Sequence, residues 1–463
     1  LNTMHRMVYP FLAVFARGLG VEIATLSYVV TARSFFGMFA PVFGSIADHR
    51  GRRFGILGGI LLFTLGMGAV ALRPNFVTFS LAVLFAILGK YLFDTSMQAY
   101  FGDRIPYERR GTALAVTEAA WSMAFIAGVP LMGLLIAGYG WDEPFRWLAG
   151  LGLVMFAVIW RMMPRDETSH TVTSPQTPPK PDPAKKFRAV LTNIPALAGI
   201  SIALWASAAN ELVNLIFGVW LEDSFGLKIA ALAGASAVIG LSELGGEGLV
   251  ALTTDRLGKP RALMLGLTGN ALASLLLPFI GRTELGALVG LFLFYITFEY
   301  VMVSHIPMMT EVMPEARATL LSFNLTGHSL GRMIGALLAT FVYQRFGFFP
   351  VALIAILFNI FALLALGELT QRFTVLPQIL ERDLEPFVEE RKLSQPRGNG
   401  VVAELERFKY LVVRDKSNFR ASALCRSRLA EFGYGFSFLV ALLVNVSASP
   451  DFQIQPHAQS IHN

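Results

Sequence analysis

Apolar runs long enough to cross about 30 Å of hydrocarbon recur along most of this chain, and such a run has few structural options. With no water to satisfy its backbone, each run closes its own N–H···O=C bonds as an α-helix. The runs read as Ile23–Ala47, Phe54–Leu72, Val77–Phe101, Thr112–Ala137 and Phe145–Met163, then, after a gap, Ile194–Leu221, Ile229–Leu252, Leu263–Ile280, Leu285–Met309, Ala318–Tyr343 and Phe349–Leu369. Met7–Leu19 is a shorter run, too short to span alone, and counting it as a partial helix gives twelve. The expectation is an all-α integral membrane protein.

Composition agrees. Of 463 residues, 15% are charged against about 25% in an average soluble domain. The charge gathers in short loops between apolar runs. The 42 glycines suit helices that approach closely in lipid. A single cysteine, Cys425, excludes a disulfide framework and a cysteine-based metal site. The net charge of +6 comes without a basic stripe carrying interleaved aromatics, so it argues for orientation in a bilayer and against a nucleic-acid partner.

The gap, residues 164–188, contains TSPQTPPKPDPAKK and reads as a flexible linker between an N-terminal six-helix bundle, residues 1–163, and a C-terminal one, residues 189–371. Alternate loops (Arg50–Arg53, Arg104–Arg110, Arg161–Arg188, Arg256–Arg261, Arg317) hold roughly sixteen Lys and Arg, the others about six. Positive charge stays inside, which predicts that both ends and the linker face the cytoplasm of a cell (inner or plasma) membrane. Residues 372–463 form a tail that runs from a charged stretch into mixed sequence, with the apolar piece Gly435–Val446 too short to span and open to an interfacial or buried helix; the tail is read as cytoplasmic and largely disordered.

The second half duplicates the first. Asp48-His-Arg-Gly51-Arg-Arg53 recurs as Asp255-Arg-Leu-Gly258-Lys-Pro-Arg261, an offset of 207 (255 − 48). Asp103-Arg-Ile-Pro106 recurs as Glu311-Val-Met-Pro314, Arg110-Gly-Thr112 as Arg317-Ala-Thr319, and Gly140-Trp141 as Gly347-Phe348, at offsets of 208, 207 and 207. The same offset places the start of the seventh run before residue 1 in the first copy. The sequence therefore predicts a first helix lacking about a dozen residues, in a chain that is N-terminally incomplete or begins at a misassigned codon; sequencing the native N-terminus would check this.

GSIADHRGRR, Gly44–Arg53, closely resembles the G-x-x-x-D-x-x-G-R-R loop of the major facilitator superfamily, and Asp255–Arg261 is its weaker second copy, with Ala251 in place of Gly44. YPFLAVFARGLG (Tyr9–Gly20) and GWDEPFRW (Gly140–Trp147) resemble the drug and sugar efflux branch. The resemblance implies the major facilitator fold, two pseudo-symmetric six-helix bundles acting as a monomer around a midplane site. It also implies a cytoplasmic latch. Gly44 admits a neighbouring helix, Gly51 permits a tight reversal, Asp48 faces a helix N-terminus, and Arg52 or Arg53 pairs with Asp103. Asp255, Arg256, Gly258 and Glu311 would form the twin latch. Two family patterns are altered: Val129 separates Gly128 from Pro130 in the fifth helix, and Lys90 holds the place of the fourth-helix arginine.

Ionisable residues in mid-span cost about 2.5–3.5 kcal/mol each on insertion scales, so they are functional candidates. Lys90, Asp94 and Gln98 recur every four residues on one face, as do Glu243 and Glu247. Glu211 sits between Asn210 and Asn214, Glu299 follows Tyr295, and His328 and Arg332 follow Asn324; Glu118 stands alone. Carboxylates sharing a face in low dielectric suit a proton carrier, which makes Glu243, Glu247 and Glu299 the leading candidates and Asp94 the next. The competing reading is a static network, with Glu299 or Glu247 paired to Arg332 and Asp94 to Lys90. His328 reads as a hydrogen-bonded packing histidine or a relay. Trp121, Trp205 and Tyr295 are candidates for lining an apolar cavity.

No nucleophile–base spacing, metal cluster or phosphate loop is legible, so the chain does not read as an enzyme and implies no cofactor beyond the proton gradient. The expected function is proton-coupled efflux of a drug-like or amphiphilic small molecule. A transporter of a sugar or other polar metabolite is the alternative, with a non-transporting sensor or partner subunit on the same fold behind it.

Overall fold

A computed structural model describes residues 1–39, 51–105, 117, 119–164, 183–313 and 316–370, with the side chains of residues 102, 103, 183–186, 255 and 318 left out. Residues Leu1–Leu369 form one compact unit. The Pro-rich segment 165–182 and the tail beyond Thr370 lie outside the described residues.

Helices follow the order of the predicted runs. The first half holds α1 (Asn2–Met7), α2 (Leu12–Leu19), α3 (Ile23–Gly37), α4 (Arg52–Leu72), α5 (Phe76–Arg104), α6 (Ala119–Tyr139) and α7 (Glu143–Met162). The second holds α8 (Pro183–Thr192), α9 (Ile194–Phe225), α10 (Ile229–Leu257), α11 (Lys259–Ile280), α12 (Glu284–Val312), α13 (Arg317–Phe346) and α14 (Phe348–Thr370). No strand occurs among the described residues. Nine of these helices are long and apolar enough to cross a membrane, ten if α2 and α3, which meet at 115°, are taken together. The 30-residue α13 is not among them; its polar residues Asn324, His328 and Arg332 lower its hydropathy.

The duplication is visible in the backbone. The positive-φ glycines among the described residues are Gly20, Gly51, Gly140, Gly226, Gly258 and Gly347, and they fall into three pairs 206, 207 and 207 residues apart. Gly20 and Gly226 are left-handed C-caps with φ of 66° and 64°. Gly51 and Gly258, at φ of 94° and 79°, precede α4 and α11, where a side chain would be strained. Each copy thus punctuates its helices at the same places.

The first run contains a break that its hydropathy does not reveal. Helix α1 stops at Met7, Pro10 follows, and α2 restarts from Phe11. The missing N–H of proline makes it a poor interior helix residue. A Cβ placed on Gly218 of α9 would lie 2.5 Å from the Pro10 carbonyl oxygen, so the break and Gly218 together bring the two halves into backbone contact.

Small residues set the other close approaches. A Cβ on Gly331 of α13 would lie 2.0 Å from the Leu204 carbonyl oxygen, and one on Gly59 of α4 would lie 2.5 Å from that of Gly89. Across the halves, α3 meets α13 where Ser27 Oγ and Thr340 Oγ1 are 2.5 Å apart, and α6 meets α10 where a Gly133 Cβ would touch Ala233 at 2.7 Å. A π-turn at Ala124–Gly128 precedes Pro130 in α6. It accommodates the break in the helix ladder left because Pro130 has no backbone N–H to donate, beside the position where Val129 departs from the family's adjacent Gly-Pro.

Both efflux-branch motifs serve one packing unit. Phe15, Phe79, Trp141 and Phe145 meet in tilted and edge-to-face pairs 5.3–6.5 Å apart. A Cβ on Gly18 would stand 2.3 Å from the Trp141 ring. The first motif thus supplies the floor on which the second one seats its tryptophan.

Candidate functional site

The buried ionisable residues converge between the halves, and their contacts cross from one half to the other. Arg6, at 4% exposure on α1, forks onto Glu243, at 3% on α10: Nη1 donates to Oε2 at 2.6 Å and Nη2 donates to Oε1. Nη1 also donates to the Trp121 carbonyl at 3.1 Å. The guanidinium lies 4.3 Å from the Trp121 ring centroid and 3.7 Å from that of Phe125, so two α6 aromatics pack against it.

Two further second-half acids take donors from the first half. Tyr9 Oη donates to Glu211 Oε1 at 3.0 Å, and Ser122 Oγ donates to Glu247 Oε1 at 3.1 Å. Arg33 on α3, 2% exposed, donates to Tyr9 Oη at 2.5 Å and to the His5 carbonyl at 3.2 Å. Arg33, Tyr9 and Glu211 therefore form a chain running from one half into the other. Glu243 and Glu247 share a face of α10, yet one meets a guanidinium and the other a hydroxyl.

Lys90 bonds Asp94 at 2.6 Å, as the static reading of that pair expects, and adds Asn2 Oδ1 at 2.8 Å. Its ammonium lies 5.2 Å from the Trp121 ring. Arg332 feels Glu211 and Glu299 electrostatically. Glu247, the alternative partner proposed for it from sequence, is turned to Ser122 instead, because Ser122 of α6 lies directly against α10. His328 Nδ1 pairs with Ser207 Oγ at 2.8 Å and Nε2 with Asn324 Nδ2 at 3.3 Å, the bonded packing arrangement. Tyr295 donates to Asn214 Oδ1 at 2.7 Å and is fully buried. Trp205 meets Phe358 and Phe361 in tilted and edge-to-face contacts, while Trp121 lies against Arg6 and Lys90.

At the loop ends, Gly44, Asp48 and Glu118 lie outside the described residues, as do the side chains of Asp103 and Asp255. Arg53 donates to the Trp160 carbonyl at 2.5 Å and lies 5.4 Å from its ring; Arg52 begins α4 beside Gly51. In the second copy Glu311 pairs with Lys259 across α11 and α12, while Arg256 is exposed. Lys259 is the first residue of α11, directly after the positive-φ Gly258.

Arg6 and Arg33 are the principal residues that sequence reading misses. Arg33 is a charge inside Ile23–Ala47 and satisfies the same mid-span criterion as the acids. Arg6 falls one residue before the first apolar run, and only the folded α1 shows that it is inside.

Comparison with known proteins accounts for the architecture. The family model of the Major Facilitator Superfamily matches residues 2–313 and 249–450. The chain is 26% identical over 330 residues to the inner membrane transport protein YdhP of Escherichia coli (strain K12), covering 70% of this chain and 81% of that protein. It is 28% identical over 146 residues to a multi-drug resistance efflux pump PmrA homolog of Lactococcus lactis, covering 30% and 35%. Among solved structures, the crystal structure of a mutant of the peptide transporter POT in complex with alafosfalin superposes with a TM-score of 0.61 at 16% identity, over 80% of this chain and 93% of that one. The chain is a multi-pass membrane protein with the major facilitator fold, a transporter and not an enzyme, and it belongs to the Major Facilitator Superfamily.

Proposed function

We propose that this transporter exports a small amphiphilic molecule in exchange for protons, by rocking its two halves about the central charges of an inner membrane. The observation that carries the reading is the placement of Glu211, Glu243 and Glu247, each held by a donor from the opposite half. A carboxylate in that position senses both its proton and the relative position of the halves. Protonating Glu243 cancels the charge that fixes Arg6, loosening α1 from α10; deprotonation restores the clamp. A proton taken from the outer side and released inside would thus be exchanged for substrate moving outward. Lys90, Asp94, Glu118, Glu299, His328 and Arg332 complete the proposed coupling and cavity set. Gly44, Asp48, Gly51, Arg52, Arg53, Asp103, Asp255, Arg256, Gly258 and Glu311 form the gate, to which Lys259 is added. The drug-resistance pump among the relatives is consistent with efflux.

Reconstituted vesicles with an imposed proton gradient and a substrate panel test this. Substrate-dependent proton movement is expected, and it should disappear in Glu243→Gln while substrate binding persists. Undiminished proton-driven flux in Glu243→Gln, Glu247→Gln and Glu211→Gln, each tested singly, would remove these acids from the mechanism.

A further inference from the structure

A cavity of about 530 Å³ opens at the end of the molecule opposite the Lys259–Glu311 pair, between the last turns of α9 and α13 and the start of α14. That volume falls in the roughly 300–1,000 Å³ range of small-molecule sites. Asp223 on its wall stands about 18 Å along α9 from Glu211, so the cavity is separate from the central acids. It lies over the seam between the halves. Ile23 of α3 forms one side, and Thr340 of α13, which also lines it, bonds Ser27 of α3.

The lining combines an aromatic floor with two opposite charges. Trp220, 5% exposed, stacks on Phe348 with ring centroids 4.0 Å apart and planes 10° off parallel. Behind it, a Cβ on Gly281 would lie 2.8 Å from the indole, so packing fixes the floor. Asp223 accepts from Tyr343 Oη at 2.9 Å through Oδ2, which orients the carboxylate and leaves Oδ1 for a further donor. Arg345 lines the same cavity, and among the described residues neither charge has an opposite charge within 4.0 Å. The neighbouring Glu222 is already paired, with Arg17. Exposed charges at a helix end are ordinarily only solvated; here both border one concavity whose floor is apolar.

We propose that this cavity binds a zwitterionic small molecule with an apolar body, its ammonium on Asp223, its carboxylate on Arg345 and its body against Trp220 and Phe348. A cation alone would leave the guanidinium unanswered and an anion alone the carboxylate, whereas a molecule carrying both groups satisfies the two at once. Ile23 belongs to the first half and the other lining residues to the second. An occupant therefore touches both halves and opposes their separation at this end. The site is independent of proton coupling by the central acids.

The test uses the full chain in lipid nanodiscs without a gradient, so it reads this site whether or not protons drive transport. L-phenylalanine, 2-phenylethylamine and 3-phenylpropionate, which share a ring and differ in charge, are titrated while thermal unfolding is followed. L-phenylalanine is expected to bind about fivefold or more tightly than either analogue. Asp223→Asn, which keeps an acceptor for Tyr343, should reduce it to the affinity of 3-phenylpropionate, and Arg345→Gln to that of 2-phenylethylamine. Both side chains are exposed, so the variants are expected to fold. Equal affinity for all three compounds would make the cavity a merely apolar site and overturn the proposal. So would an amine or a carboxylate that binds as tightly as the zwitterion, no midpoint shift from any of them, or wild-type L-phenylalanine affinity in either variant.

Discussion

Removing either partner of the Arg6–Glu243 pair should destabilise the chain far more than removing both. The pair is 4% and 3% exposed and is joined by two charge-assisted hydrogen bonds, with Arg6 also bonded to the Trp121 carbonyl and packed on two rings. Breaking a buried pair from one side typically costs about 3–5 kcal/mol, because the surviving charge stays buried without its counterion. Replacing both partners by apolar residues of similar volume removes that penalty and is often close to neutral. Arg6→Met and Glu243→Met should therefore each cost about 3–5 kcal/mol, with the double variant costing no more than either. The coupling in the cycle is then about 3 kcal/mol or more in favour of the pair, against roughly 0.5–3 kcal/mol for ordinary contacts. Unfolding in mixed micelles of increasing SDS fraction, followed by tryptophan fluorescence, reads all four proteins. Single effects that add to the double within about 0.5 kcal/mol would refute the reasoning, since independent sites behave in that way.

Other expectations follow from geometry. Gly331→Ala places a Cβ 2.0 Å from a backbone oxygen and should lower stability by about 1–3 kcal/mol, whereas Gly248→Ala, with nothing within 4 Å, should be near neutral; the same SDS titration compares them. Gly258→Ala forces an alanine to φ of 79°, costing about 1–2 kcal/mol, and should also misdirect Lys259. Crosslinking cysteines placed at 259 and 311 would report this as a slower rate than in the Gly258 background. Arg17–Glu222, at 2.8 Å but with Arg17 61% exposed, should contribute at most about 1 kcal/mol, so Arg17→Ala is expected to leave the unfolding midpoint almost unchanged.

Much of the architecture is legible before folding because the bilayer leaves a helix few alternatives. Apolar length marks the spans, and the 207-residue offset marks the duplication that recurs in the glycine pairs Gly51/Gly258 and Gly140/Gly347. The acids Glu211, Glu243 and Glu247 are legible as well, since charge in mid-span is rare for an energetic reason. Their partners are not. Spacing along one helix shows that Glu243 and Glu247 share a face, but it carries no information about which helix of the other half lies opposite.

Local sequence therefore determines helices, repeat and the inventory of intramembrane charge, because those depend on each segment's own exchange with lipid. Tertiary packing decides the pairing of that charge. Contacts more than two hundred residues apart, such as Arg6 with Glu243 and Tyr9 with Glu211, exist only once the break at Pro10 seats α1 and α2 against the second half. The latch shows the same division: the sequence reading sets Arg256 with Glu311, and in the fold Glu311 pairs with Lys259. An electrostatic contact depends on distance in space, and folding alone sets that distance.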